Sequence, residues 1–198
     1  MKENKSKYAI MGILSLGPMS GYDIRKMFQK AVANFWNESY GQIYPLLKTL
    51  VDEGFAVKSI EKQMGKPDRH VYALTDRGRE ELRQWLVEPV ESQIGRIEIA
   101  LKLFFGQQIS APDNIRQVEH FRETQRLESE ELKALEERVK EEKAGNPNLP
   151  YWLMTVNYGQ HVTSALIQWC DETLLALNKM TAKTKKGIKK GNKKECSR

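Results

Sequence analysis

Ser39-Tyr40-Gly41-Gln42-Ile43-Tyr44-Pro45-Leu46-Leu47-Lys48-Thr49-Leu50-Val51-Asp52-Glu53-Gly54 is the stretch on which the fold turns. Ser39, with Gln42 three positions on, has the form of a capping box, in which the hydroxyl accepts a backbone amide and the Gln side chain reaches back. Ile43, Leu46, Leu47, Leu50 and Val51 follow at helical spacing, so one face of this segment belongs against a core. Gly54 supplies the stop, because glycine enters the left-handed conformation that ends a helix without steric cost. Tyr40, Gln42, Tyr44 and Lys48 gather near the helix start, an aromatic, amide and cationic set.

Upstream, Tyr8 to Leu16 is apolar enough for a short buried helix, and Gly17-Pro18 ends it because proline lacks a donor and restricts its predecessor. Ser20-Gly21-Tyr22-Asp23 reads as a second helix start, with Ser20 as cap, and Ile24, Met27, Phe28 and Val32 form its apolar stripe. Downstream, Phe55 to Ile60 and His70 to Leu74 mix apolar and β-branched residues around a turn at Gly65-Lys66-Pro67-Asp68, which predicts a β-hairpin. Thr75 then caps a helix that turns Leu82, Trp85 and Leu86 inward and ends at Pro89. Three helices, a hairpin and a helix make a winged helix-turn-helix over residues 1–90, with a two-stranded wing.

The rest of the chain is predicted helical, so the fold class is mainly α. Ile97 to Phe105 reads as an amphipathic helix, and Ser110-Ala111-Pro112-Asp113 breaks it. Some thirty residues free of Pro and Gly follow, enough for one long helix in which Val118, Leu132 and Val139 share a heptad phase with Phe121 and Leu135. Gln125 and Glu128 interrupt that seam. Gly145-Asn146-Pro147 closes the helix, and Tyr151 to Met180 makes a last one with Val162, Leu166, Trp169, Leu174 and Leu177 inward. Residues 91–180 are therefore expected to form an α-helical dimerisation domain with room for an effector, and 181–198 a basic, disordered tail.

Hydrophobic residues make up 40% and charged residues 29% of the 198, the balance of a globular protein, and no apolar run approaches the ~20 residues of a bilayer span. No membrane partner and a cytoplasmic location are expected. The net charge of +6 is uneven: residues 1–90 carry +3, 91–180 carry −4, and the tail +7. The basic pI of 9.2 is thus mainly a property of the tail and says little about the body. Cys170 and Cys196 stand far apart with no ligand-spaced partner, so neither a zinc site nor a disulfide framework is indicated. No Gly-rich phosphate loop or nucleophile elbow occurs, and His70, His120 and His161 are isolated in sequence. Neither enzyme activity nor a metal or cofactor is expected.

A protein that reads double-stranded DNA needs a helix that fits the major groove, polar or aromatic groups at its leading end, and cations aimed at phosphates. Ser39, Tyr40, Gln42, Tyr44 and Lys48 supply the first two, with Gln42 suited to an adenine edge. The wing adds Lys62, Lys66, Arg69 and His70, a cationic flap beside the helix. Trp152, Tyr158, His161 and Trp169, together with Arg96, are candidates for a small-molecule effector cleft, with packing and dimer contact as their competing role. The rival reading is a winged-helix protein-interaction module that works through its acidic, heptad-bearing helix without sequence-specific DNA binding.

Ser39 to Leu47, followed by Leu50 and Glu53-Gly54-Phe55, resembles the PadR family of bacterial transcription regulators. The resemblance extends to Ile13-Leu14, Ser20-Gly21-Tyr22-Asp23-Ile24, Gly65-Lys66-Pro67, Tyr72-Ala73-Leu74-Thr75 and Gly78, all in family order. From Glu98-Ile99-Ala100-Leu101 and Leu103-Phe104-Phe105-Gly106 through Tyr151-Trp152-Leu153 to Trp169, the chain is similar to the longer, virulence-activator-like C-terminal domain of one subfamily. The resemblance implies a two-fold homodimer that binds an inverted repeat overlapping a promoter, most often as a repressor. It also implies release by a small aromatic or phenolic effector, as in family members that sense phenolic acids, while other members respond to drugs or behave as activators. Two features depart from the family pattern: Asp68 stands where relatives commonly add a basic residue, and the Lys183 to Lys194 tail has no counterpart.

Overall fold

The computed structural model describes residues 5–29, 35–36, 40–62, 68–91 and 95–195, without the side chains of Tyr40 and of 183–195. It divides into two compact units, Met1–Ser92 and Gln93–Arg198.

The first unit runs α1 (Ser6–Ser15), β1 (Met19–Ser20), α2 (Gly21–Met27), α3 (Tyr40–Asp52), β2 (Ala56–Glu61), β3 (Arg69–Leu74) and α4 (Asp76–Val87). Its core is built from Ile10, Met11 and Leu14 of α1, Ile24 of α2, Ile43, Leu47 and Leu50 of α3, and Leu74 and Leu82 beyond. Tyr8 stacks on Trp85 at 4.4 Å and closes the core at that end, which leaves Leu86, in the last turn of α4, outside; the inward orientation its spacing predicts is not found. Helix α3 ends as a Schellman motif: Gly54, at φ 76°, donates to Val51 O, and the Phe55 amide donates to Leu50 O. Thr75 caps α4 by accepting from the Gly78 amide at 3.0 Å, and its hydroxyl lies 2.8 Å from Gly54 O, so one side chain joins the end of α3 to the start of α4.

The sheet has three strands in the order β1-β3-β2, all antiparallel, where the sequence pattern predicts two. Met19 and Ser20 pair with Tyr72 and Val71. A two-residue strand is too short to show an alternation, so nothing local announces it. The capping box observed at a helix start is that of α2, where the Ser20 hydroxyl accepts from the Asp23 amide and Asp23 returns the contact. The box predicted at Ser39, the core position of Val32, and the Gly65-Lys66-Pro67 turn lie outside the described residues.

The second unit contains α5 (Glu98–Phe104), a short 3-10 turn (Gly106–Gln108), α6 (Ala111–Glu142) and α7 (Leu149–Glu195). Ser110 caps α6, and Pro112 sits in its first turn, where a missing donor costs nothing. Helices α6 and α7 run antiparallel, with Arg122 on Asp171 at 2.7 Å and Gln160 on Glu136 at 2.7 Å. Their seam follows a heptad on both sides: Val118, Gln125 and Leu132 are buried on α6, and Val156, Thr163 and Cys170 on α7. Gln125, which the sequence pattern treats as an interruption, is thus inside the seam. Thr163 is buried because its hydroxyl is satisfied by the carbonyls of Gly159 and Gln160. Val162, predicted inward, lies one residue round the helix and is exposed. The heptad face of α6 is filled by α7 of the same chain.

Helix α7 continues to Glu195, against the disordered tail predicted from Thr181. The segment holds seven lysines and no proline; lysine is a good helix former, and Gly187 and Gly191 do not stop a helix already propagating from a packed stretch.

Candidate nucleic-acid interface

Helix α3 separates its faces cleanly. Ile43, Leu46, Leu47 and Leu50 are buried, while Gly41, Gln42, Tyr44, Pro45, Lys48 and Thr49 are exposed, with Tyr44 at 55%. Proline at position 45 removes the donor that would bond the Gly41 carbonyl, so this face also presents a main-chain acceptor near the helix start. Lys48 pairs with Asp52 at 2.6 Å one turn on; that hydrogen bond, and then the carboxylate charge, raise its pKa and keep it fully cationic. The pair is exposed, so exchanging Asp52 for a phosphate costs little. Tyr40 opens the helix, and Ser39 lies outside the described residues.

Tyr44 meets the wing in an open groove of about 450 Å³ lined by Ser20, Gly21, Tyr22, Asp23, Tyr44, Lys58, Arg69, His70 and Tyr72. Of the residues singled out in the sequence, the structure brings Tyr44, Arg69 and His70 together here. Lys62 stands exposed just past β2, and Lys66 lies outside the described residues. Sequence reasoning misses Lys58 and Tyr72, which face each other as register partners across β2 and β3, one turn of the ladder from His70 opposite Ile60. Burial does not alternate along β2, so no local signal marks Lys58; its place follows from its register with Tyr72. Burial, and then the nearby Tyr44, raise the pKa of Tyr72, so its phenol stays protonated and able to donate. Arg69 is engaged already, at 2.6 Å from Asp23 and 3.9 Å from Glu61. A second open hollow of about 250 Å³ is lined by Tyr22, Arg25, Lys26 and Gln29 of α2 and the turn after it, a mixed aromatic and cationic surface that the sequence pattern does not flag.

In the second unit Trp169 is half-buried, edge-on to Phe121 at 6.3 Å. Trp152 is half-buried, whereas Arg96, Tyr158 and His161 are exposed. Trp152 and Trp169 are both on α7, and their separation along it is roughly 25 Å at 1.5 Å per residue, so one small molecule reaches only some of this set.

Residues 10–84 match the family described as the transcriptional regulator PadR-like family, and 96–178 match the virulence activator alpha C-terminal domain. The chain carries a PadR-like domain followed by a virulence-activator-type C-terminal domain. Among PadR-like proteins, the negative transcriptional regulator PadR of Bacillus subtilis is 42% identical over 101 residues, 50% of this chain and 55% of that protein, so the match takes in about half the length of that curated relative. The crystal structure of Bacillus subtilis PadR in complex with operator DNA superposes with a TM-score of 0.77 at 27% identity, covering 88% of this chain and 99% of the other. The same Bacillus subtilis PadR in complex with p-coumaric acid gives a TM-score of 0.70 at 26% identity, covering 88% and 99%. The winged-helix PadR-like match spans α1 through α4 and so includes the groove, and the virulence-activator match spans α5 to α7.

Proposed function

We propose that the chain is a homodimeric transcriptional repressor that acts in the cytoplasm, occupying an inverted repeat in double-stranded DNA without doing enzymatic chemistry. One observation carries this reading: the exposed face of α3, with Gln42, Tyr44 and Lys48, opens onto a groove shared with Lys58 and His70 of the wing, in a chain whose fold matches a PadR bound to operator DNA. Ser39, Tyr40, Gln42 and Tyr44 lead into the major groove, where Gln42 hydrogen-bonds a base edge and Tyr44 contacts a thymine methyl or the backbone. Lys48, Lys62, Lys66 and His70 neutralise phosphates on either side. Two copies set the recognition helices about one duplex turn, ~34 Å, apart.

Release follows when a small aromatic acid binds better to a dimer whose wings are differently spaced, and it shifts the population by no more than that difference in affinity. This part is supported by the p-coumaric acid complex of Bacillus subtilis PadR, and a single acid would use only some of Trp152, Tyr158, His161, Trp169 and Arg96 in the second unit.

Gel-shift titration on the promoter region of the protein's own gene tests the reading. Wild-type protein should shift that fragment in preference to a scrambled one. Tyr44→Ala should lose roughly tenfold or more of the preference. Lys62→Ala should weaken both fragments alike and reduce the slope of log K against log salt by about 0.9. A folded wild-type protein that shifts both fragments equally at low salt overturns the proposal.

A further inference from the structure

Arg69 has the sequence signature of a phosphate-binding wing cation, yet its guanidinium is already committed. Nη2 donates to Asp23 Oδ2 at 2.6 Å, and Nε lies 3.9 Å from Glu61 Oε2, its cross-strand partner, buried and without a hydrogen-bond acceptor. Two carboxylates thus face one cation, and the local field disfavours a further anion. The same Asp23 oxygen accepts from the Ser20 hydroxyl at 2.8 Å and from its amide at 3.4 Å, the contacts that start α2. A phosphate taking Arg69 away from Asp23 would therefore disturb a helix cap as well as an ion pair.

The start of α2 holds α3 as well. The Tyr44 ring lies so close to Gly21 that a Cβ on Gly21 would be 2.6 Å from Tyr44 Cε1. Ser20 pairs with Val71 in the sheet, two residues beyond Arg69. Ser20 to Asp23 therefore touch the recognition helix through Tyr44 and the wing through Val71 and Arg69.

We propose that Asp23 and Arg69 form a clasp that fixes the wing against the start of α2, and thereby sets its distance from the recognition helix. Arg69 is a positioning residue in this scheme, not a phosphate contact. The consequence for DNA rests on the function proposed above; the clasp itself does not.

Full-length wild type is compared with Asp23→Asn, Arg69→Lys, Arg69→Ala and the Asp23→Asn/Arg69→Ala double variant. Asparagine keeps an acceptor for Ser20 and removes the charge; lysine keeps the charge and removes the forked geometry. The probe is a duplex recovered by the wild type from random-sequence DNA, set against its scrambled counterpart over a range of salt. Each single variant should lose about tenfold in discrimination, and the double variant should be no worse than the worse single. The salt slope should hold throughout. If instead Arg69→Ala flattens the slope by about 0.9, Arg69→Lys restores it, and Asp23→Asn tightens binding to every duplex, Arg69 is a phosphate contact and the clasp is overturned. Discrimination unchanged in all variants overturns it equally. Thermal unfolding of wild type, Asp23→Asn, Arg69→Ala and their double variant decides the clasp without DNA: the Tm losses of the two singles should fail to add in the double, and strict additivity refutes the pairing. A wild type that recovers no preferred duplex defeats the DNA reading alone, with the melting cycle still deciding the clasp.

Discussion

A Cβ on Gly78 would sit 2.1 Å from the Phe55 carbonyl oxygen and 2.9 Å from Leu74 Cδ1. The carbonyl cannot retreat freely, since it accepts the Thr75 amide at 3.0 Å and belongs to the turn that leads from α3 into the sheet. Gly78→Ala should therefore destabilise the first unit by about 3 kcal/mol, at the upper end of overpacking costs. On a unit of this size that lowers Tm by roughly 10 °C or more, readable by circular dichroism. Gly21→Ala is the control: the atom it meets belongs to a Tyr44 ring that is 55% exposed and can swing aside, so its Tm should move far less. Equal losses in the two variants would show that ring and carbonyl yield alike. Substitution at one glycine tests packing of the fold and at the other tests placement of a side chain on the candidate DNA face.

At the scale of the element, α6 and α7 show what spacing alone can and cannot reveal. Most aliphatic positions are legible, Val162 excepted: Val118, Leu132, Leu174 and Leu177 fall inward as their spacing predicts. Gln125 and Thr163 are not, because a hydropathy reading excludes polar residues from a seam unless their partners are known, and those of Thr163 are carbonyls of its own helix. The same limit governs the candidate site. The faces of α3 follow from Ile43, Leu46, Leu47 and Leu50, but the engagement of Arg69 depends on Asp23, 46 residues earlier, and no local pattern encodes it. Leu132, 3% exposed and lying over Gly159, is where the seam is best tested. Leu132→Ala should cost about 2–4 kcal/mol in the second unit through lost contacts and a cavity. Cys170 reports the same event. Burial pushes its thiol above the ordinary 9.0, so the native thiol stays protonated and slow to alkylate near neutral pH. The stability linked to that proton is present below the unfolded value and is lost only as pH rises through the folded one. Peptide mapping after iodoacetamide should find Cys170 labelled faster in Leu132→Ala than in wild type. Equal rates would place Leu132 outside the structure that shields the thiol.

For the whole molecule, the proposed homodimer requires an apolar surface that the chain does not cover itself. Tyr151, Met154, Tyr158 and Val162 recur three and four residues apart on α7, at 67%, 65%, 63% and 38% exposure, and so lie on one face. The seam residues Val156, Thr163 and Cys170 are set well round the helix from that face, so the two stripes serve different partners. Leu166, half-buried, lies nearer the seam and is a poor probe of assembly. Met154→Asp with Tyr158→Asp removes the stripe's centre without touching the α6–α7 packing. The variant should keep its helical circular dichroism and elute as a monomer by light scattering. Its affinity for a full inverted repeat should fall at least 100-fold, because a single winged helix loses the effective concentration that its tethered twin supplies. That loss brings a specific complex of nanomolar order toward the nonspecific micromolar range. Affinity for one half-site should be nearly unchanged, since neither residue belongs to the winged-helix unit. A folded variant that remains dimeric would move the subunit contact off this face of α7. One that is monomeric yet binds the full repeat with wild-type affinity would mean that each copy reads DNA alone, and that the two-fold operator is not how this regulator finds its site.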